Sequence, residues 1–354
     1  MSERVENAPS RPSPSWPRVW LVALLLAGTA LIGWEGYWRG QGFRPTVEDD
    51  AGIWGLVRRQ ASRTAPAAIV LVGASRIQLA VDPALVTERT TRPCFMLAID
   101  GSPPWPVLAD LAQDPSFAGL VLCSLLPQWL ADAGSEKGRA AKWVRKADQA
   151  TWADRLNTRL GVWCQSRLVF RYPGLQPGRV WAAWADGAAP RPPYAPMRLD
   201  RFRAADFAAG DRQRLAASRA QRQEEMARTA RPLDPSTFAE RLTMIGALAG
   251  SLHGRGGQVV FVRLPSDGRV RELEEATWPR QRYWDELARS GIAPALHYAD
   301  HPSLAGFRCP DGSHLDGRDA GPFTAALLQV LAEEGLLDLV QPGQKEVASH
   351  GRGE

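Results

Sequence analysis

The chain has 354 residues, 45% of them apolar and 23% charged, with a net charge of +5, four Cys and 14 Trp. That length is ample to bury a core, and the balance of apolar and charged residues excludes a fully disordered chain and a polytopic membrane protein. Four Cys in so long a chain also exclude a miniature scaffold built on disulfides.

Residues 19–33 contain no charged side chain and are bracketed by Trp16, Trp20, Trp34 and Trp38. An apolar run flanked by interfacial Trp predicts a single membrane-spanning helix. Taken with its Trp borders, it divides the start of the chain into a cytoplasmic tail (1–18), an anchor (19–38) and a linker (39–66) with one short helix over 53–60. Arg11 and Arg18 precede the run and Glu35 follows it, an asymmetry that keeps the N-terminus in the cytoplasm and puts the rest in a periplasm. A cleaved signal peptide is the rival reading, but no small-x-small cleavage site follows.

Beyond the linker the texture changes. Residues 67–72 form a short continuous apolar run ending at Gly73, as expected for a strand covered on both faces of a parallel sheet. Asp82-Pro83 reads as the cap and first residue of a helix. Further strands follow over 95–99 and 119–124, with a helix over 106–111 between them. Asp234-Pro235 opens a helix to about His253, and 258–264 is a fourth strand. A helix over 271–290, a weak fifth strand over 295–298 and a last helix over 319–334 complete the series. This alternation predicts an α/β fold with a doubly wound, mostly parallel sheet, in two parts: 67–124 and 232–340.

Between those parts, residues 125–231 are too many for an ordinary crossover. They are read as a mostly helical insertion, with helices over 138–157 and 206–229 around a Pro/Gly-rich loop. Its Trp129, Trp143, Trp152, Trp163, Trp181 and Trp184 suit core packing first and a sugar-stacking platform second. Within 198–231 lie nine Arg against five Asp and Glu, nearly the whole excess of positive charge. The basic balance is therefore local and fits anionic lipid head groups or an acidic glycan, not nucleic acid. Residues 341–354 read as a disordered tail. Cys94, Cys123, Cys164 and Cys309 contain no C-x-x-C pair, and they are either disulfide partners or small buried hydrophobes.

Chemistry in an open α/β sheet gathers at the C-terminal ends of the strands. The first strand ends in Gly73-Ala74-Ser75-Arg76, which puts a hydroxyl at a strand-to-helix turn. Before the last helix, Cys309-Pro310-Asp311-Gly312-Ser313-His314 places a carboxylate three residues ahead of an imidazole, able to hold its Nδ1–H and leave Nε2 free to take a proton. Ser75, His314 and Asp311 are thus a candidate triad. The alternatives are a helix cap for Ser75 and a loop bridge for the Asp–His pair. Arg76 either clamps an anion or pairs with an acidic neighbour. His297 and His301 fit an exposed strand end better than a metal site, and His253 fits a helix C-terminus.

This set of motifs resembles the SGNH (GDSL-type) hydrolases, and more narrowly the membrane-anchored SGNH-like proteins of bacterial exopolysaccharide and cell-wall acylation loci, such as the alginate O-acetylation proteins. The likeness rests on the anchor, the Gly-x-Ser-Arg turn, the Leu97-to-Ser102 segment and the Cys-Pro-Asp-Gly-Ser-His-Leu ending. It implies an esterase or O-acyltransferase, acetyl being the favoured group, acting on an exopolysaccharide or envelope glycan. It implies no cofactor or metal, and allows a membrane-bound acyltransferase as partner. In this likeness Ser75 is the nucleophile, His314 the base, Asp311 its orienting carboxylate and Gly101 an oxyanion-hole donor. Ala74 replaces the Asp of Gly-Asp-Ser. No Gly-x-Asn-Asp follows the third strand; Ser124 stands nearest, and a lost donor of this kind costs about 2.7 to 4 kcal/mol elsewhere. The departures keep open an inactive glycan-binding or scaffold protein.

Overall fold

The computed structural model describes residues 15–131, 138–208, 211–230 and 233–340; the tail over 341–354 and most of the N-terminal tail lie outside them. The chain forms two compact units. One comprises residues up to Pro45 together with Arg167–Pro192, the other Thr46–Ser166 with Pro193 onward.

In the first unit, a 25-residue helix, Trp16–Gly40, is long and apolar enough to cross a membrane, and none of its most apolar window is buried. Its C-terminal end packs Trp38 and Phe43 against Val169, Leu175 and Val180. The Pro/Gly-rich loop expected here contains a helix of its own, Pro177–Ala185, which starts at a Pro in the first turn. Proline fits there because the first helical N–H groups have no internal partner.

The second unit is built on five parallel strands: β1 Ile69–Val72, β2 Cys94–Met96, β3 Leu120–Ser124, β4 Gln258–Arg263 and β5 Ala295–His297, in the order β2-β1-β3-β4-β5. Alternate side chains sort into two cores. Val70, Val72, Val121, Cys123, Val259 and Phe261 join one, and Ile69, Leu71, Leu120, Leu122, Val260 and Val262 the other. Both sheet faces are therefore covered, which explains why these strands read as continuous apolar runs instead of alternating ones. The protein is a mostly helical α/β protein with a small parallel sheet.

Local chemistry sets the helix ends. Asp50, Asp82, Asp234 and Asp316 each accept a backbone N–H in the first turn that follows, as N-caps do. Two predicted helices are each divided. Trp278-Pro279 separates Gly268–Thr277 from Arg280–Arg289, because proline disfavours helical geometry in the residue before it. Ala150-Thr151 separates Arg139–Gln149 from Trp152–Arg167. The Trp residues of 125–231 also differ from the core-packing expectation: Trp129 is buried, but Trp152, Trp163, Trp181 and Trp184 lie on the surface. All four cysteines are free thiols, and burial raises the pKa of Cys123 and Cys309 above the ordinary thiol range.

Where β1 hands over to the following helix, Gly73 has φ +143°, and a Cβ there would sit 3.0 Å from both Cβ and the carbonyl oxygen of Ser124. Gly101 also has positive φ, +65°, but its Cβ would meet nothing within 4 Å. Gly73→Ala should then destabilise the chain by about 1 to 3 kcal/mol and Gly101→Ala by only about 1 kcal/mol. Denaturant unfolding of both variants in detergent checks this, and equal losses would rule out close approach at Gly73.

Candidate functional site

Ser75 opens the helix Ser75–Ala80 directly after β1, and it is the one residue between Ile69 and Val81 that is not buried. Its Oγ lies 2.8 Å from His314 Nε2, and His314 Nδ1 lies 2.8 Å from Asp311 Oδ2. Asp311 Oδ1 accepts the backbone N–H groups of Ser313 and His314 at 2.9 and 2.8 Å, so the carboxylate is oriented by the turn that carries its partner. That turn is held by Asp267, whose carboxylate accepts the Cys309 N–H at 2.7 Å and whose own N–H donates to the Gly312 carbonyl at 3.0 Å. Gly312 has φ +80°, and a Cβ there would lie 2.9 Å from Val270 Cγ2.

Burial disfavours charge on His314, and the positive charges of Arg219 and Arg76 act the same way against the pull of Asp311, so its pKa falls below the ordinary imidazole value. Asp311 is also buried, which alone would raise its pKa. Hydrogen bonds from the His314 ring and from the two backbone N–H groups overcome this and hold it at about 2. Near neutral pH the stable arrangement is an ionised Asp311, a neutral His314 protonated at Nδ1, and an Nε2 lone pair facing the Ser75 hydroxyl. Chemically, such a chain can accept the hydroxyl proton as the oxygen attacks an electrophile and stabilise the imidazolium that forms.

The remaining predicted residues fall into place differently. Arg76 is buried with its guanidinium on Glu274, and its Nε donates to Ser313 Oγ at 3.1 Å. It pairs with an acidic neighbour and is not presented as an anion clamp. Gly101 follows β2 on an exposed turn. The Ile99 N–H donates to the Gly73 carbonyl at 2.9 Å, so Ser75 and Gly101 each lie two residues past the same rung, beyond the C-terminal ends of the neighbouring strands β1 and β2. Ser124, at the end of β3, is fully buried, and its hydroxyl has no partner. His297 Nδ1 accepts the Ala299 N–H at 3.1 Å, and among the described residues no group of three or more His, Cys, Asp or Glu is arranged to hold a metal ion.

Two residues that the sequence reading passed over shape the site. Glu274 is fully buried, bound by Arg76, Arg263 and the Ser266 hydroxyl. Burial would raise its pKa, but the two guanidiniums lower it, so it is a charged carboxylate inside the protein. A signal was present: Val270, Glu274 and Trp278 are spaced four apart, which places the carboxylate on the buried stripe of its helix. Arg219, on the helix Arg212–Thr229, reaches Asp311 Oδ2 at 3.4 Å and the Tyr194 hydroxyl at 3.4 Å. It falls four residues after the partly buried Leu215, again on the inward stripe.

No protein-family model and no curated protein matches this chain.

Removing Glu274 leaves two buried guanidiniums without their counter-charge. Glu274→Ala should cost about 3 to 5 kcal/mol in denaturant unfolding, and a loss below about 1 kcal/mol would contradict a structural ion cluster. Both members of the Asp–His pair have lowered pKa values, so the unfolded chain takes up protons first as pH falls. The stability contributed by neutral His314 is complete above about pH 6.5 and erodes below it. That from ionised Asp311 is complete above pH 3.8 and disappears towards about pH 2. Arg219→Gln removes a positive charge beside the pair and should raise the His314 pKa in an NMR titration of its imidazole; an unchanged or lower value would show that Arg219 does not act on it.

Proposed function

We propose that the protein is a membrane-anchored, extracytoplasmic SGNH-like esterase or O-acyltransferase, acting on an exopolysaccharide or envelope glycan through Ser75, His314 and Asp311. The observation that carries this reading is the continuous 2.8 Å contact from Ser75 Oγ to His314 Nε2 and from His314 Nδ1 to Asp311 Oδ2. Supporting it, the strand order is that of doubly wound flavodoxin-like sheets, in which function sits beyond the C-terminal strand ends, where Ser75 stands. The N-terminal helix supports the anchor, and the Arg11, Arg18 and Glu35 asymmetry supports a cytoplasmic N-terminus.

In the mechanism, His314 Nε2 takes the Ser75 proton while Oγ bonds to the ester carbonyl carbon. The carbonyl oxygen becomes an oxyanion, for which the N–H groups of Ser75 and Gly101 are the proposed donors. Collapse expels the alcohol, which leaves with the proton from His314. Water or a sugar hydroxyl then gives its proton to His314 and attacks the acyl-serine, and Ser75 recovers its proton as the acyl product departs. Water makes the protein an esterase; a sugar hydroxyl makes it a transferase. Acetyl is the favoured group by family resemblance.

A second reading, an inactive glycan-binding or scaffold protein, is favoured by one observation: the Ser124 hydroxyl, nearest to the missing Asn donor, is buried. A fluorophosphonate probe separates the two. The wild-type chain should be labelled at Ser75, the His314→Ala variant should not, and Ser75→Ala should lower turnover of a chromogenic acetate ester by about 10^4 to 10^6. Absence of labelling and of turnover in the wild type would overturn the enzyme reading.

A further inference from the structure

The end of the apolar helix is unusually well tied to a distant part of the chain. The Glu35 carboxylate accepts the backbone N–H groups of Val169 and Phe170, both at 2.9 Å. Arg39 Nε donates to the same carboxylate at 2.7 Å, and Arg39 Nη2 donates to the Arg167 carbonyl at 2.7 Å. A carboxylate near a lipid boundary is costly unless its oxygens are occupied, and here they are. Trp38 is buried against this segment, its ring 6.4 Å from that of Trp184 and stacked at 22°.

The short helix Pro177–Ala185 that follows has two faces. Val180 is buried, whereas Trp181 and Trp184 are 73% and 46% exposed. At about 100° per residue these two Trp share one side, with exposed Arg179 on roughly the opposite side. Exposed indoles three residues apart suit the boundary between head groups and acyl chains. The occupant follows from the same compact unit. Leu21, Leu24, Leu25 and Ile32 on the apolar helix are themselves exposed, and with that helix read as a membrane span they face lipid. Trp20 and Trp38 lie roughly 27 Å apart along its axis, close to the thickness of a hydrocarbon core. Trp184 stacks at the Trp38 end, which is the level of a membrane interface.

We infer that residues 169–185 form a collar around the outer end of the anchor, lying in the bilayer interface with Trp181 and Trp184 inserted and Arg179 in water. The inference rests on the reading of Trp16–Gly40 as a membrane span, and is independent of any catalytic activity. It is tested with the full chain in phosphatidylcholine–phosphatidylglycerol vesicles, in a background where Cys94 and Cys164 are replaced by Ser. Spin labels are introduced singly through Leu25→Cys, Arg179→Cys and Trp181→Cys, and collision with oxygen is compared with collision with a water-soluble nickel chelate. The label at 25 should favour oxygen strongly, the label at 181 should report a depth of roughly 5 to 10 Å below the phosphates, and the label at 179 should favour nickel. A label at 181 as accessible to nickel as that at 179, with 25 deep in the bilayer, would overturn the collar alone. A water-exposed label at 25 would overturn the span and the collar with it.

Discussion

Glu274 carries its charge where there is no solvent, and Arg76 and Arg263 come from different parts of the chain to neutralise it. Charged groups in a low-dielectric interior persist only when paired and hydrogen-bonded, so this cluster leaves the surrounding elements few alternative placements. Arg76 is the residue after Ser75, and its Nε also binds Ser313, the residue before His314. Two adjacent pairs are thus joined by two parallel links: Ser75 to His314, and Arg76 to Ser313. The second link is anchored to a buried ion cluster and fixes the distance across which the first one operates.

The remainder of the relay is local. Asp311 and His314 share one turn, and a single carboxylate oxygen accepts the N–H groups of both Ser313 and His314. Only the approach of that turn to Ser75 is long-range. Arg219 adds a competing positive charge at the same carboxylate, from a helix with no sequence relation to the sheet. Asp311 therefore faces the neutral His314 ring and the Arg219 guanidinium together, and the basicity of His314 reflects the balance between the pull of Asp311 and the opposing charge of Arg219.

What could be read from the residues alone follows the range of the interactions. The strands were legible because both faces are covered, which leaves an unbroken apolar signature. Ser75, Asp311 and His314 were legible because strand-end position and a three-residue spacing are local properties. Glu274 was missed because a Glu amid Arg271, Glu272 and Glu275 resembles a solvated face, and only its spacing to Val270 and Trp278 betrays burial. Arg219 was lost among the many Arg of its segment, since the partner that distinguishes it lies nearly a hundred positions away. Trp content was misjudged for a different reason. A large apolar side chain defaults to a core, and only the fold reveals that Trp152, Trp163, Trp181 and Trp184 are exposed.

The division into two units has a topological consequence. The chain passes from the anchor unit to the sheet unit after Pro45, returns after Ser166 and leaves again after Pro192. The units are therefore joined by three covalent passages, not by one tether. A cut after Pro45 severs the one covalent link between the apolar helix and everything that follows it, and the sheet unit then stays with the anchor only through the non-covalent packing of Arg167–Pro192 on the helix end. The excursion over Arg167–Pro192 works as a second point of attachment, and what resembles an insertion in one unit is a structural part of the other.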